Sequence, residues 1–240
     1  SYDAHPAAIV SCDGAQIDSY RFTFALLAAA QKQRARIFNR TAVTRRKAGA
    51  SGVRLATTRG ATVQARCVVL ATGYEADALL PERATALHST YALASEPLAA
   101  FSGWPAGGAL LWETARPYTY LRTTPDGRAM IGGYDEPFRD AAARDRLLPR
   151  KTAALQRRFR KWLPEISLEV AESWAGTFAE TPAGLPFIGR HPRVPHTWFA
   201  LGYGGNGITF SLIAAEIIRE ALLGRVDPDA DLFGFDRPAL

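Results

Sequence analysis

Cysteine and histidine are scarce in this chain. Its 240 residues hold two cysteines, Cys12 and Cys67, and four histidines, His5, His88, His191 and His196. Two thiols in a chain this long do not make a disulfide framework, and neither stands at metal-ligand spacing from a neighbour. The histidines are scattered, and His191 and His196 match no zinc pattern, so no metal site is expected. Both cysteines read as small core residues, and the default setting is a reducing cytoplasm. No apolar run reaches the roughly 20 residues of a membrane-spanning helix. The longest, Ile208 to Leu223, is broken by Glu216, Arg219 and Glu220. Ser1-Tyr2-Asp3 has no basic stretch leading into an apolar one, so no secretory leader is expected. Catalytic triad, nucleophile elbow and paired-carboxylate motifs are absent as well.

The composition that remains is that of an ordinary globular protein, with 48% hydrophobic and 22% charged residues. The length permits one large domain or two small ones. The formal charge is +6, which raises nucleic acid as a partner. The excess is largely arginine, gathered in Lys32 to Arg36, Arg45 to Lys47 and Arg150 to Lys161. In the last stretch Leu155, Phe159, Trp162 and Leu163 recur at helical spacing, leaving Arg157, Arg158 and Lys161 as a solvated face. No aromatic-basic RNA signature accompanies the charge, and no nucleic-acid partner is expected.

Asp18 is placed to cap a helix from about Ser19 to Gln33, with Phe22, Leu26 and Ala29/Ala30 along one face. A short strand, Arg36 to Phe38, follows. Ala42 to Ala48, Val53 to Thr58 and Ala61 to Ala65 are short strands separated by turn chemistry, which predicts an antiparallel meander. Cys67 to Ala71 is a continuous apolar run, the mark of a strand buried on both faces. Thr90 to Ser95, Ala109 to Glu113, Tyr118 to Thr123, Ala129 to Gly133 and Leu168 to Gly176 suit a larger sheet, interrupted by the basic helix. After Pro182 comes a Pro/Gly-rich loop, then a strand, Thr197 to Leu201, and a helix from about Ile208 to Leu223.

Gly202-Tyr203-Gly204-Gly205-Asn206-Gly207 satisfies G-x-G-x-x-G between a strand and a helix. A dinucleotide fingerprint must open a β-α-β unit whose second strand ends in an acidic residue. Here the helix ends near Gly224 and no second strand follows, so the pattern match alone misleads. The physics of the loop stands regardless. Four glycines let backbone approach a flat ligand, and the helix behind them directs free N–H groups and a positive dipole end at it. Such a loop suits a group that gains negative charge on reaction; the alternative is a tight strand-to-helix turn without a ligand.

Three stretches in order resemble the D-amino-acid-oxidase-type FAD oxidoreductases, the family that includes glycine oxidase and sarcosine oxidase. They are Val68-Val69-Leu70-Ala71-Thr72-Gly73; Trp174-Ala175-Gly176 with Thr181-Pro182-Ala183-Gly184-Leu185-Pro186-Phe187-Ile188-Gly189; and Trp198 to Ile208, which contains the glycine loop. The resemblance implies an α/β (α+β) fold with an interleaved, incomplete FAD-binding domain (11–80 and 181–240) and a substrate domain (81–180) on a large mixed β-sheet. It implies that the backbone at Val43 meets the adenine and that Thr72 and Gly73 end a strand beside the cofactor. Gly202, Gly204, Gly205, Asn206, Gly207, Ile208 and Thr209 would form the loop at the flavin pyrimidine edge.

Two departures follow from the same resemblance. The family opens with its own strand, G-x-G-x-x-G turn and helix, and nothing like them precedes Ser11. A fragment is expected, with pyrophosphate binding left to a missing N-terminal segment or a separate nucleotide-binding chain. Amino-acid-oxidising members also clamp the substrate carboxylate with an arginine shortly after Trp-Ala-Gly, a bidentate guanidinium being its natural partner. Phe178 occupies that place, which favours an amine or a larger secondary amine over a plain amino acid. Arg116 and Arg122 are either substitutes or surface ion pairs on strand ends. The loop before Thr181 has no cysteine, so FAD would be non-covalent. Tyr118, Tyr120, Trp174, Phe178 and Tyr203 would be aromatic walls of the substrate pocket, although an aromatic on a strand is more often core, and the pocket reading is favoured only for Tyr120 and Phe178.

The implied chemistry is oxidation of a C–N bond in an amine or amino acid, by hydride transfer from carbon to flavin N5. No residue is singled out as catalytic. The rival expectation is a remnant without redox activity, or a subunit that needs a nucleotide-binding partner.

Overall fold

A computed structural model describes residues 8–12, 14–105 and 107–237. Along the chain run α1 (Ser19–Lys32), β1 (Val43–Gly49), β2 (Gly52–Thr57), β3 (Thr62–Ala65), β4 (Val68–Leu70), a 3₁₀ helix (Gly73–Leu79), β5 (Ala86–Ser95), β6 (Leu111–Trp112), β7 (Thr119–Thr123) and β8 (Ala129–Pro137). Then follow α2 (Ala141–Arg146), α3 (Leu148–Trp162), β9 (Val170–Glu180), β10 (Phe187–Arg190), β11 (Thr197–Leu201), α4 (Gly207–Leu222) and α5 (Ala230–Phe233). They form two compact units, Ser1–Gln16 with Leu87–Thr177, and Ile17–Ala86 with Phe178–Leu240. The opening residues, including Ser1 to Asp3 and His5, lie outside the described part.

The first unit is built on a five-stranded sheet in the order β6-β7-β8-β5-β9. The pairs β6–β7, β7–β8 and β8–β5 are antiparallel. Because side chains alternate between faces, the register sets Leu111, Leu121, Ile131 and Leu93 in one row and Trp112, Tyr120, Gly132 and Ala92 in the next. The first row is core. Leu155, Phe159 and Trp162 of α3, one helical stripe, pack into it with Tyr91 and Trp104. Cutting a buried ring such as Phe159 back to alanine in a core of this kind costs about 3–5 kcal/mol.

The polar side of α3 departs from expectation. Arg157 and Lys161 are exposed, but Arg158 turns inward and pairs with the buried carboxylate of Glu113. Thr119 donates to the other oxygen of that carboxylate, so the pair is neutralised and bonded where it lies. Lys151 is buried too, its Nζ 2.7 Å from the Tyr134 carbonyl and 2.6 Å from Glu136.

The second unit holds the meander β1-β2-β3, antiparallel throughout as the turns predict, and a three-stranded sheet in the order β10-β11-β4. There β11 pairs antiparallel with β10 and parallel with β4. On one face Ala214, Ile217 and Ile218 of α4 pack on Ile188 and Ala200. On the other, Ala76 and Val194 meet Phe199 and Leu201. Asp18 caps α1 by accepting from the Arg21 N–H at 3.0 Å.

Several expectations fail here, most of them for want of a neighbour among the described residues. Residues 36–38 form no strand, because no ladder is offered to them. β4 is an edge, and Val69 is 42% exposed rather than covered on both faces. α1 buries none of its residues. Cys12 is exposed and Cys67 half-buried, so neither is a core residue. β10 lies within the stretch expected to be loop, since four residues carry little periodicity. Among the described residues no helix is long and apolar enough to cross a membrane.

Candidate functional site

The glycine turn joins β11 to α4. Gly202 and Gly204 take left-handed φ values of 78° and 54°, which glycine adopts without steric cost. At Gly202 the need is internal: a Cβ would stand 2.6 Å from Thr181 Cγ2 and 3.2 Å from Thr85 Cγ2. The Gly204 N–H donates to the Ala179 carbonyl at 2.9 Å, and Tyr203 bridges to Glu180. That side of the turn is thus held by protein.

The other side is open. Gly205, Asn206, Ile208 and Thr209 are exposed, and Asn206 makes no side-chain cap on α4. The first N–H groups of a sixteen-residue helix therefore keep their capacity for an outside acceptor, reinforced by the helix dipole. A cavity of about 620 Å³ adjoins the turn, lined by Tyr203 and Ser211 with Val69, Ala71, Gly73 and Ala200 among others. Gly73 has φ 62° and nothing within 4 Å of where a Cβ would be; for Gly207 the nearest atom, on the Tyr203 ring, is 4.0 Å away. Open space beside two glycines is what a planar ring approaching backbone requires. Thr72 precedes Gly73 at the head of the 3₁₀ helix. Val43, 54% exposed at the start of β1, does not line the cavity.

The residues expected to meet substrate lie mostly in the other unit. Tyr118 and Tyr120 have ring centroids 6.2 Å apart, and the Arg116 guanidinium sits 5.2 Å from the Tyr118 ring centre. Arg122 faces Met130 in the register. Trp174 is on β9, half-exposed like Tyr120, and Phe178 lies further along the same strand, in the second unit. Burial, and then the Asp135 carboxylate, push the Tyr118 phenol up to about 12. Tyr120 is raised by the same two causes, opposed by a hydrogen bond with Thr90 and by Arg122. Asp135 carries no motif of its own in the sequence. Its signal was the adjacent pair Gly132-Gly133 inside a strand, a mark of a bulge.

The sequence model of the FAD dependent oxidoreductase family matches residues 2–221. The chain belongs to that family. It is 29% identical over 189 residues to glycine oxidase of Bacillus licheniformis, covering 78% of this chain and 49% of the relative. It is also 29% identical over 200 residues to D-amino acid dehydrogenase 2 of Pseudomonas aeruginosa, covering 80% and 45%. The solved glycine oxidase of Geobacillus kaustophilus superposes with a TM-score of 0.75 at 24% identity, over 94% of this chain and 60% of that one. The chain spans about half the length of these curated relatives. FAD is the cofactor of the family, and the open turn and the space beside Gly73 and Gly207 suit its ring.

Proposed function

We propose that this chain supplies the flavin-edge turn and the substrate sheet of an oxidoreductase that oxidises the C–N bond of an amine or amino acid. The observation that carries the reading is the outward-facing glycine turn at the head of α4, with vacant space at Gly73 and Gly207. When bound, FAD would supply the electron sink for the hydride lost from the carbon that bears the amine. The protein's part is to bind and orient. The Gly205–Thr209 backbone and the α4 dipole hold negative charge at the pyrimidine edge. The Val43 backbone would meet the adenine, Thr72 and Gly73 would lie beside the ring with Gly73 leaving the space open, and Gly202 and Gly204 shape the turn against Thr181 and Glu180. Tyr118, Tyr120, Arg122 and Trp174 of the first unit are assigned to substrate binding, and Phe178 of the second unit is assigned to it separately. With no cysteine in 176–180, attachment is non-covalent.

The pyrophosphate site is assigned to further polypeptide of parallel β-α-β type. The free edge of β4 and the uncovered apolar residues of α1, such as Phe24 and Leu26, support that assignment. Titrating the purified chain with FAD tests the reading: flavin fluorescence should quench and absorbance near about 450 nm should stay with the protein. A colourless chain that neither quenches FAD nor gains absorbance would favour a remnant without redox activity.

A further inference from the structure

The α3 side of the five-stranded sheet holds a cavity of about 410 Å³, lined by Ser89 and Tyr91 of β5 and by Arg139, Arg144 and Arg146 in and around α2. Ala143 and Leu147 add an apolar wall. The cavity lies across the sheet from the aromatic row. Tyr91 belongs to the α3 core with Leu93, whereas Tyr120 pairs through Gly132 with Ala92 on the other face. Tyr91 pairs with Gly133 and Ser89 with Glu136, so Tyr134 and Asp135 of β8 face Thr90 alone, as a β-bulge. The bulge sets Glu136 opposite Ser89, on the cavity side.

Three guanidiniums meet one carboxylate in the lining, and that carboxylate is already answered. Glu136 lies 2.6 Å from Lys151 Nζ and 3.6 Å from Arg150. Arg144 is held from two sides, its Nε 2.8 Å from Asp145 and its Nη1 2.8 Å from the Thr177 hydroxyl. Asp140 accepts from the Ala143 N–H. Arg139 and Arg146 are exposed, and among the described residues no hydrogen bond or ion pair engages either. With Arg150 and Lys151, the cations outnumber the carboxylates of Glu136, Asp140 and Asp145 by two. Tyr91 and Ser89, 1% and 3% exposed, form the floor. The Tyr91 hydroxyl has the Arg144 carbonyl as acceptor at 3.4 Å, beyond the usual range for such a bond. A closer acceptor in the cavity would take that donor.

We propose that this cavity binds a phosphate dianion, free or as the monoester of a small molecule. Arginine forks match phosphate oxygens in paired, planar geometry, and the buried phenol adds a directed donor. A dianion matches the excess of two charges, where a single carboxylate would leave half of it. The volume exceeds what one phosphate fills and is that of a small-molecule pocket, so the wall of Ala143 and Leu147 has room for an organic remainder. None of these residues is assigned to FAD or to the amine, and the site stands independently of the flavin reading.

The test titrates the full chain by calorimetry with inorganic phosphate, glycerol phosphate and acetate, at about 0.15 M salt so that long-range attraction is screened. Both phosphates should bind, and acetate at least about tenfold more weakly. Tighter binding of glycerol phosphate assigns the apolar wall to its organic part; equal affinity assigns the site to the phosphate group alone. Arg139→Gln combined with Arg146→Gln should weaken both phosphates at least about tenfold, and Tyr91→Phe, which keeps the ring in the core, at least about threefold. Arg157→Gln combined with Lys161→Gln removes the same charge from the exposed side of α3 and should leave both affinities within about twofold. Failure of both phosphates to bind, or acetate binding as well as they do, would overturn the proposal. So would an equal loss in the two double variants, which would reduce the effect to the overall positive charge of the chain. If Tyr91→Phe does not fold, the contrast between the two double variants, all four positions being exposed, decides.

Discussion

Tyr120 lies flat over Gly132, its partner across β7 and β8, so that a Cβ at Gly132 would run into the phenol ring, with Cε2 only 2.8 Å away. The missing side chain on one strand is what lets the other strand lay its ring on the sheet. Gly132→Ala should therefore destabilise the first unit by about 1–3 kcal/mol through overpacking. Adding Tyr120→Ala should recover much of that loss, because the clash needs both partners. Urea denaturation of the two single variants and the double variant measures the coupling. Additive effects would mean that the ring moves aside freely.

The glycines of the second unit should separate by what surrounds them. Gly202→Ala combines left-handed strain with contacts to Thr181 and Thr85, and should cost about 3 kcal/mol. Gly73→Ala meets nothing in the chain and should cost only the strain of its φ, about 1–2 kcal/mol. In FAD affinity the order should reverse, with Gly73→Ala weakening the flavin most relative to its small effect on stability. Denaturation midpoints and FAD titrations on the same samples report both quantities.

The elements legible in the sequence are those whose signal is local. Asp18 and the periodic stretch after it predict α1 to within a residue, and the run Thr197 to Leu201 is β11. β4 shows the boundary of that reasoning. An apolar run predicts a strand, yet its exposure depends on which strands flank it, and among the described residues β11 alone does. Arg158 sits at a solvated helix position by periodicity, but its partner Glu113 is 45 residues away. Asp135 was illegible because alternation counts one residue per position, and the bulge at Tyr134 shifts that count by one. The glycine turn was legible as chemistry; that only its outer side is open, the inner being tied to Ala179 and Glu180, was not.

Arg158→Met removes the cation beside a carboxylate that the fold has already taken out of water. Leaving Glu113 uncompensated should cost about 3–5 kcal/mol, whereas Arg157→Met, on the exposed side of the same helix, should fall within about 0.5 kcal/mol of the parent. Thermal denaturation of the two variants gives the comparison. A small effect at both positions would mean that water reaches the Glu113 carboxylate when the guanidinium is gone.

Tyr118 should make stability depend on alkaline pH. In the unfolded chain its phenol ionises at about 10, whereas burial, and then the Asp135 carboxylate, hold it at about 12 in the folded protein. A raised folded value means that the unfolded state loses its proton first as pH rises. The contribution is therefore fully present below pH 10 and is lost progressively as pH rises to about 12. Tyr118→Phe removes the titrating group, so its stability should fall less steeply than the parent's across that window and run parallel to it below. Asp135→Asn takes away the second cause and leaves the first, so the phenol should titrate lower than in the parent but still above 10. Phenolate absorbance near about 295 nm, taken as the difference between the parent and Tyr118→Phe, isolates this residue from the other seven tyrosines. An unchanged titration in Asp135→Asn would show that burial alone sets the value and that the carboxylate does not act on the ring.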